Sequence, residues 1–282
     1  MASSPQEQIE RYLRSGEHDP YYFGWPGGDF LACSQHGAAG LRDALIATVR
    51  ERSTRAELPP ILHGMDQVAF TRAKVSPMVR GLFHRDEQDT VLDVLGRSTV
   101  FLIPSTIETV LRGISWPRMA WNVANVYLCS VGAEPLSPEA PNIVGLSEDT
   151  TCYVSMEYFG ENGRFDDFVV HEAAHIFHNC KRETIGLSAT RNREWLLEID
   201  YRKRETFAYA CEAYTRILEL GNGPSDRRAL LSELERGPMP ADDRVDGAEY
   251  LNILHEAVAA RNGWGRILRR CSASRRTADG KT

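Results

Sequence analysis

Residues 168–180 constrain the fold of this chain more than any other stretch, because they place a His-Glu-x-x-His pattern inside an apolar run. Residues four apart lie on one face of an α-helix, so His171 and His175 can offer imidazole nitrogens to a single Zn²⁺. Glu172 lies one step around that helix, where its carboxylate can hydrogen-bond a metal-bound water without ligating the metal. The pattern therefore predicts a metal-binding helix in which Glu172 is a general base.

The flanks of this segment are also typical of a helix. Asp166 and Asp167 are good N-cap residues, and the apolar run that follows them contains neither Gly nor Pro. The alternative interpretation is a buried helix that holds two histidines by chance, one of them hydrogen-bonded to a neighbouring carboxylate. A buried Glu between two histidines is costly unless it has a task, which favours the metal site.

Zinc held by two histidines needs at least one further protein ligand, with one position left for water. Residues 192–220 contain no Gly or Pro and are predicted as one long helix with four glutamates on a single stripe. Such a stripe is usually a solvated face, but the neighbours of Glu205 and Glu212 are mostly apolar. On the residues alone, Glu194, Glu198, Glu205 and Glu212 are all candidates for the third ligand, and Glu205 and Glu212 lie in the more apolar half. Glu212 is also a candidate to hydrogen-bond a ligating histidine.

The order His171-Glu172-x-x-His175 followed by a helical Glu resembles the gluzincin metallopeptidases. The segment Glu205-Thr-Phe-Ala208 is similar to the E-x-x-A segment that supplies the third ligand in several families, including the ImmA/IrrE-type metallopeptidases. The resemblance implies a zincin-like core, but it says little about residues 1–135.

Other families with this motif fit the residues less well. The spacing of Glu194 matches the aminopeptidase-N family, but the Gly-x-Met-Glu-Asn segment of that family is missing. The metzincin extension is not met, because His178 stands where Gly is needed and Lys181 stands where the third His would be. The Cys-containing upstream motif of peptide deformylase is missing as well.

The resemblance implies a zinc metallopeptidase that acts on a peptide or protein substrate. His171, His175 and Glu205 would hold Zn²⁺, and Glu172 would take a proton from the metal-bound water and pass it to the leaving amine. Two other functions remain open: a non-catalytic zincin-fold binding protein and a zinc hydrolase of a non-peptide amide. The intact Glu172 weighs against the first, because a purely structural zinc site has no use for a general base.

An oxyanion-stabilising donor is also expected near such a site. Tyr209, one turn beyond Glu205, and His255, on a later predicted helix, are candidates, although each is also compatible with a structural role. His178 lies one turn past the second motif histidine and is predicted to pack or to orient a ligand rather than to bind metal.

Charge and cysteine usage narrow the possible partners and the compartment. The net charge of -6 gives no general reason to expect a nucleic acid or an anionic membrane as partner. The N-terminus lacks a basic-then-apolar signal sequence, and the six cysteines are scattered without a C-x-x-C pair. These features predict a reduced, cytoplasmic protein, and they leave the oligomeric state unknown.

The predicted fold is α+β and predominantly α-helical, with a small sheet and the motif helix in the active site. We expect residues 1–135 to form a mostly helical region of unknown role, 136–270 the zincin-like core, and 271–282 a disordered tail. The Pro-rich connector at 134–141 marks the boundary, and residues 18–35 are predicted to form an ordered loop. Helices are predicted over residues 4–16, 37–53, 64–83, 86–96, 105–111, 116–131, 227–236 and 250–260, with breaks at Pro59-Pro60 and Pro77, and strands over 100–103, 142–146 and 151–159.

Within the last of these strands, polar and apolar side chains alternate with the period of a half-buried strand. A strand just before a metal-binding helix can pair with an extended peptide by strand addition. An ordinary sheet strand without contact to a substrate is the equally open alternative.

Overall fold

The predicted fold class, an α+β protein dominated by helices with a small sheet, is confirmed. A computed structural model describes residues 3–54, 56–138, 140, 145–148, 150–160, 163–191 and 193–273. Within these residues the helices are α1 Pro5–Ser15, α2 Phe30–Arg52, α3 Gln67–Leu82, α4 Gln88–Ser98, α5 Ile107–Gly113, α6 Pro117–Ser130, α7 Phe168–Asn179, α8 Arg204–Leu220, α9 Pro224–Leu234, α10 Gly247–Ala259 and α11 Gly263–Cys271. The strands are β1 Thr99–Leu102, β2 Gly145–Glu148 and β3 Thr151–Ser155.

Contacts between residues divide the chain into two compact units. The first contains α1, α2, α5 and α6, and the second contains α3, α4 and α7 to α11. The first unit comprises Met1–Met65, Phe101–Leu146 and Tyr153–Glu161, and the second comprises Asp66–Val100, Ser147–Cys152 and Asn162–Thr282.

In the first unit, the predicted capping box at the start of α1 is present, since the Ser4 side chain accepts from the Glu7 N–H and the Glu7 side chain accepts from the Ser4 N–H. The predicted loop over residues 18–35 is wrong at its end, because α2 already begins at Phe30. The Asp29 carboxylate caps this helix by accepting from the Ala32 N–H at 2.8 Å.

The prediction of a helix break at Pro77 is also wrong. Helix α3 runs from Gln67 to Leu82 and includes Pro77 in its interior. Val75, Met78 and Val79 around the proline are fully buried. Their packing offsets the backbone hydrogen bond that the proline cannot donate.

The three strands form one sheet in the order β1-β3-β2. The predicted strand over residues 151–159 ends early, because residues 156–159 form a 3₁₀ turn. Four successive β3 residues, Cys152 to Ser155, are all buried, so the strand is not half-exposed as the alternating pattern predicted. Because β3 is the central strand and is hydrogen-bonded on both sides, it has no open edge for the addition of a peptide strand.

The long helix predicted over residues 192–220 is wrong in its first half, since α8 begins only at Arg204. The backbone before it pairs with the last turn of α7 and the residue that follows this helix: the Leu197 N–H donates to the Phe177 carbonyl at 2.8 Å, and the Leu196 N–H donates to the Cys180 carbonyl at 3.0 Å. The Glu198 carboxylate accepts from backbone N–H groups rather than facing a helix stripe. The absence of Gly and Pro permits a helix before Arg204, but these hydrogen bonds hold that part of the backbone in an irregular conformation instead.

In the second unit, α7 contacts α3, α4 and α8, and α8 contacts α9, α10 and α11 as well. The motif helix therefore lies in the core of this unit. Among the described residues, no helix combines the length and the apolar character needed to cross a bilayer.

Parts of four predictions lie outside the described residues. They are residues 139 and 141 of the connector, residues 142–144 of the strand predicted over 142–146, residue 192 of the long helix, and residues 274–282 of the predicted tail. At the start of that tail, Cys271 ends α11 and is fully buried, and its carbonyl accepts from the Asp200 N–H at 2.9 Å.

A buried ion pair joins the start of α4 to the turn that follows α7. Arg182, which is 3% exposed, donates to Glu87, and Arg193 donates to the other oxygen of that carboxylate at 3.3 Å. We expect Arg182→Ala to lower the free energy of unfolding by about 3–5 kcal/mol, because it leaves a buried carboxylate largely uncompensated. Urea unfolding followed by circular dichroism measures the change. Arg112→Ala, which removes a solvent-exposed pair with Asp43, serves as control, and equal losses in the two variants would contradict the prediction.

Candidate metal centre

Helix α7 places the motif in a fully packed position. The helix begins at Asp167, as predicted, because that carboxylate accepts from the Val170 N–H at 3.2 Å and caps the first turn. Every residue from Val169 to His178 is buried, so the helix is surrounded by protein on all sides. The motif side chains thus lie inside the second unit rather than on its surface.

The structure brings together the three side chains that the sequence predicts as metal ligands. His171 and His175 project from α7, and Glu205 comes from the first turn of α8. The two Nε2 atoms are 3.2 Å apart, and the Glu205 Oε2 lies 3.8 Å from the first and 3.5 Å from the second. These residues form a group that can hold a metal ion.

The separations match those of a tetrahedral ion. Zinc bonds of about 2.0–2.2 Å with tetrahedral angles place the ligand atoms about 3.3–3.6 Å apart. The observed distances of 3.2, 3.5 and 3.8 Å bracket that range. Two imidazole lone pairs this close also repel each other unless a proton or a cation lies between them.

Glu212 fixes the orientation of the first histidine. Its Oε2 lies 3.1 Å from the Nδ1 of His171, so the ring donates through Nδ1 and turns the Nε2 lone pair toward the other ligands. Its Oε1 accepts from the Asp167 N–H at 2.7 Å, so both oxygens are used. Glu212, which sequence reasoning left open as a ligand, is thus a hydrogen-bond partner of His171.

Lys74 extends this network to α3. Its Nζ lies 2.8 Å from the Asp167 Oδ2 and 2.9 Å from Glu219. Burial lowers the pKa of Lys74, but the charges and hydrogen bonds of the two carboxylates outweigh it and raise the pKa overall. A permanent cation therefore compensates one of the buried carboxylates behind the centre.

His178 holds the corresponding position behind the second histidine. Its Nε2 lies 3.4 Å from the Nδ1 of His175, and its own Nδ1 is buried without a hydrogen-bond partner among the described residues. Burial, the charge of His175 and that of Arg204 lower the pKa of His178 to about 3. A neutral ring can accept a proton from the Nδ1 of His175, which leaves the Nε2 of that ring for a cation, in agreement with the predicted orienting role.

Glu172 is buried beside this centre. Its charge raises the pKa of His171, and it also raises the pKa of the buried Cys152 thiol on β3, after the larger effect of burial. The Glu172 carboxylate is therefore close enough to both groups for its charge to act on them.

The electrostatics of the centre favour positive charge. Burial alone lowers the pKa of His171, but the hydrogen bond to Glu212 and the charges of the three carboxylates raise it to about 9. For Glu205 the signs are reversed. Burial raises the pKa of this carboxyl, but the neighbouring histidines and Arg244 outweigh burial and lower the pKa overall. The metal-free centre thus holds a proton where a divalent ion would bind, and metal binding would release it.

Sequence reasoning missed Arg244 and Asp242. The Arg244 Nη1 lies 3.0 Å from the Oε1 of Glu205, the oxygen that points away from the histidines, and its Nε donates to Asp242 at 2.9 Å. Both residues lie in the loop between α9 and α10. The Arg244 side chain is 67% exposed to solvent. The loop has no periodicity and no motif, so no signal in the sequence relates it to Glu205.

The remaining predicted site residues separate into two groups. Tyr209 lies at the centre, with its ring edge-on to His171 at a centroid distance of 4.5 Å, and burial and nearby carboxylates raise its pKa to about 12. The side chain of His255 is exposed and pairs with Glu235 on the surface. Glu194 pairs with Lys181 at 2.7 Å, also on the surface, and Glu198 caps backbone N–H groups as described above.

Comparison of the chain with protein-family models, with curated proteins and with solved structures gives no significant match. The sequence motif and the geometry of the centre are therefore the evidence from which a function can be inferred.

The hydrogen bond between Glu212 and His171 can be tested through metal affinity. We expect Glu212→Gln to weaken Zn²⁺ binding about 10- to 100-fold, because the amide no longer selects the Nδ1–H tautomer. Competition with a chromophoric chelator measures the dissociation constant. Glu235→Gln, an isosteric change at a residue that pairs only with His255, is the matched control. Equal affinities for the wild type and Glu212→Gln would show that this contact does not prepare the centre.

Proposed function

We propose that this protein is a zinc-dependent metallopeptidase of the gluzincin type, with a zincin-like core in its second unit. The observation that carries the proposal is the convergence of His171, His175 and Glu205 at tetrahedral spacing, with Glu172 buried beside them. Two histidines and one carboxylate leave a fourth position for water, which is the arrangement of a catalytic rather than a structural zinc site.

When bound, Zn²⁺ supplies Lewis acidity and lowers the pKa of a coordinated water toward neutrality. Glu172 accepts the proton of the attacking water and returns it to the leaving amine. His171 and His175 keep their Nδ1 protons through Glu212 and His178, so that both Nε2 atoms face the reaction centre. The burial of these groups excludes bulk water and strengthens their electrostatic effect.

Tyr209 and Arg244 are the two candidate donors to the charge that would develop during peptide hydrolysis, since each contacts a predicted metal ligand. The Tyr209 ring contacts His171, and Arg244 contacts Glu205. A neutral phenol whose pKa is about 12 stays protonated at physiological pH and can donate to an oxyanion. We assign Tyr209 to this role, because Arg244 already forms an ion pair with Glu205 and donates to Asp242.

The decisive experiment combines zinc content with cleavage of a mixed peptide library. We expect the wild type to bind about one zinc per chain and to cleave. Glu172→Gln should keep its zinc but lose about 10²- to 10⁴-fold in rate, because only the general base is removed. Glu205→Gln should lose zinc, since a ligand is removed. Glu194→Gln, at an exposed residue of the same type, is the control.

Each departure from this pattern has a defined meaning. If the wild type binds zinc but cleaves no peptide, the proposed peptidase function is wrong and the proposed metal centre stands. Glu205→Gln with full zinc content shows that another residue is the third ligand. A wild type that binds no zinc overturns both the metal centre and the function.

A further inference from the structure

A cavity of about 330 Å³ lies beside the candidate metal centre in the second unit. Its walls come from the start of α7 and the residues before it, from α8, from α10, and from the loop between α9 and α10. Apolar side chains form most of the surface, among them Phe165, Phe168, Leu234 and Met239. We name this cavity the Tyr250 pocket after the tyrosine that α10 contributes to it.

The pocket is continuous with the candidate metal centre through shared residues. Tyr209 lines the pocket and contacts the His171 ring, and Glu212 lines it and binds the same ring at Nδ1. Residues 237–241 of the loop line the pocket, and Arg244 further along the same loop contacts Glu205. The pocket and the candidate centre therefore adjoin each other, with Tyr209 and Glu212 as residues common to both.

Polar groups inside the pocket are available to a ligand. Tyr250 is only 4% exposed, yet its hydroxyl makes no hydrogen bond among the described residues. Because Tyr250 lines the pocket and no described group occupies its hydroxyl, this hydroxyl is available to a group that enters the pocket. The Tyr209 hydroxyl also has no hydrogen-bond partner in the described part of the chain.

Two carboxylates line the pocket: Asp166, which is exposed and whose Oδ2 accepts from the Gly163 N–H at 3.0 Å, and Glu212, which is buried and paired with His171. After burial, their charges are the largest effects that raise the pKa of Tyr250. Among the described residues, Arg164 is the only cation in the lining, and it is paired with Glu233 at 2.7 and 2.9 Å. A ligand with a cationic end group is therefore favoured over a neutral or an acidic one.

We propose that the Tyr250 pocket binds the side chain of a lysine or arginine that is adjacent to the scissile bond of the substrate. The inference rests on the proposed peptidase function. The apolar walls cover the methylene stem of such a side chain, while the cationic head donates to Asp166 and to the hydroxyl of Tyr250. The pocket thereby makes the enzyme selective for basic residues.

Cleavage of matched peptides tests the selectivity. The zinc-loaded wild type is given peptides that differ only in one residue beside the cleaved bond, which is Lys, Arg, Leu, Phe or Glu. We expect the basic residues to give the highest kcat/KM. Tyr250→Phe and Asp166→Asn should each lower the ratio of kcat/KM for Lys over Leu about tenfold, because each removes a hydrogen bond to a charged group. Tyr21→Phe, at an exposed tyrosine of the first unit, should leave the ratio unchanged.

Binding of butylguanidinium, with 1-pentanol as its neutral counterpart, separates this inference from the proposed function. Ligand-observed nuclear magnetic resonance measures both in the wild type, Tyr250→Phe and Asp166→Asn. If peptides are cleaved without a preference for Lys or Arg, the assignment of the pocket is wrong and the proposed peptidase function stands. If no peptide is cleaved, butylguanidinium binding that depends on Tyr250 and Asp166 supports the cation-binding pocket, while the proposed peptidase function is wrong. Absence of that binding then overturns the pocket as well.

Discussion

The buried carboxylate of Glu212 is the contact on which the candidate centre depends. One oxygen accepts from the backbone N–H of Asp167, where α7 begins, and the other accepts from the Nδ1 of His171. A carboxylate that is 4% exposed would be strongly destabilising without such partners. Because both oxygens are satisfied, the same group attaches α8 to the start of α7 and selects the tautomer in which the Nε2 of His171 is a ligand. Fold and chemistry are thus coupled at one residue.

The core of the second unit is unusual in that its central helix carries ionisable groups rather than only apolar ones. Their burial is compensated in pairs: Lys74 with Asp167, Glu212 with His171, and His178 with His175. These pairs surround the point where the two Nε2 atoms, 3.2 Å apart, meet the Oε2 of Glu205. The surroundings favour positive charge at that point, which is the electrostatic condition for binding a divalent ion.

The loop between α9 and α10 links two properties of the proposed enzyme. Its first residues form a wall of the Tyr250 pocket, and Arg244 near its end contacts the Oε1 of Glu205, leaving Oε2 for the histidines. A side chain in the pocket therefore lies against the same loop that orients a candidate metal ligand. Substrate selection and ligand geometry are connected through a short segment that has no regular structure of its own.

The sequence by itself determined the features that depend on neighbours along the chain. The spacing of His171, Glu172 and His175, the cap at Asp167 and the apolar run follow from helix geometry and local hydrogen bonding. It also favoured Glu205 among the four glutamates, through the resemblance of its segment to the E-x-x-A pattern. Tertiary structure decided whatever depends on partners far along the chain. Pairing with the last turn of α7 and the residue that follows it excluded a helix before Arg204, and loop packing brought Arg244 to Glu205. Periodicity reports which face of an element is apolar, and it contains no information about the partner that this face or loop will contact.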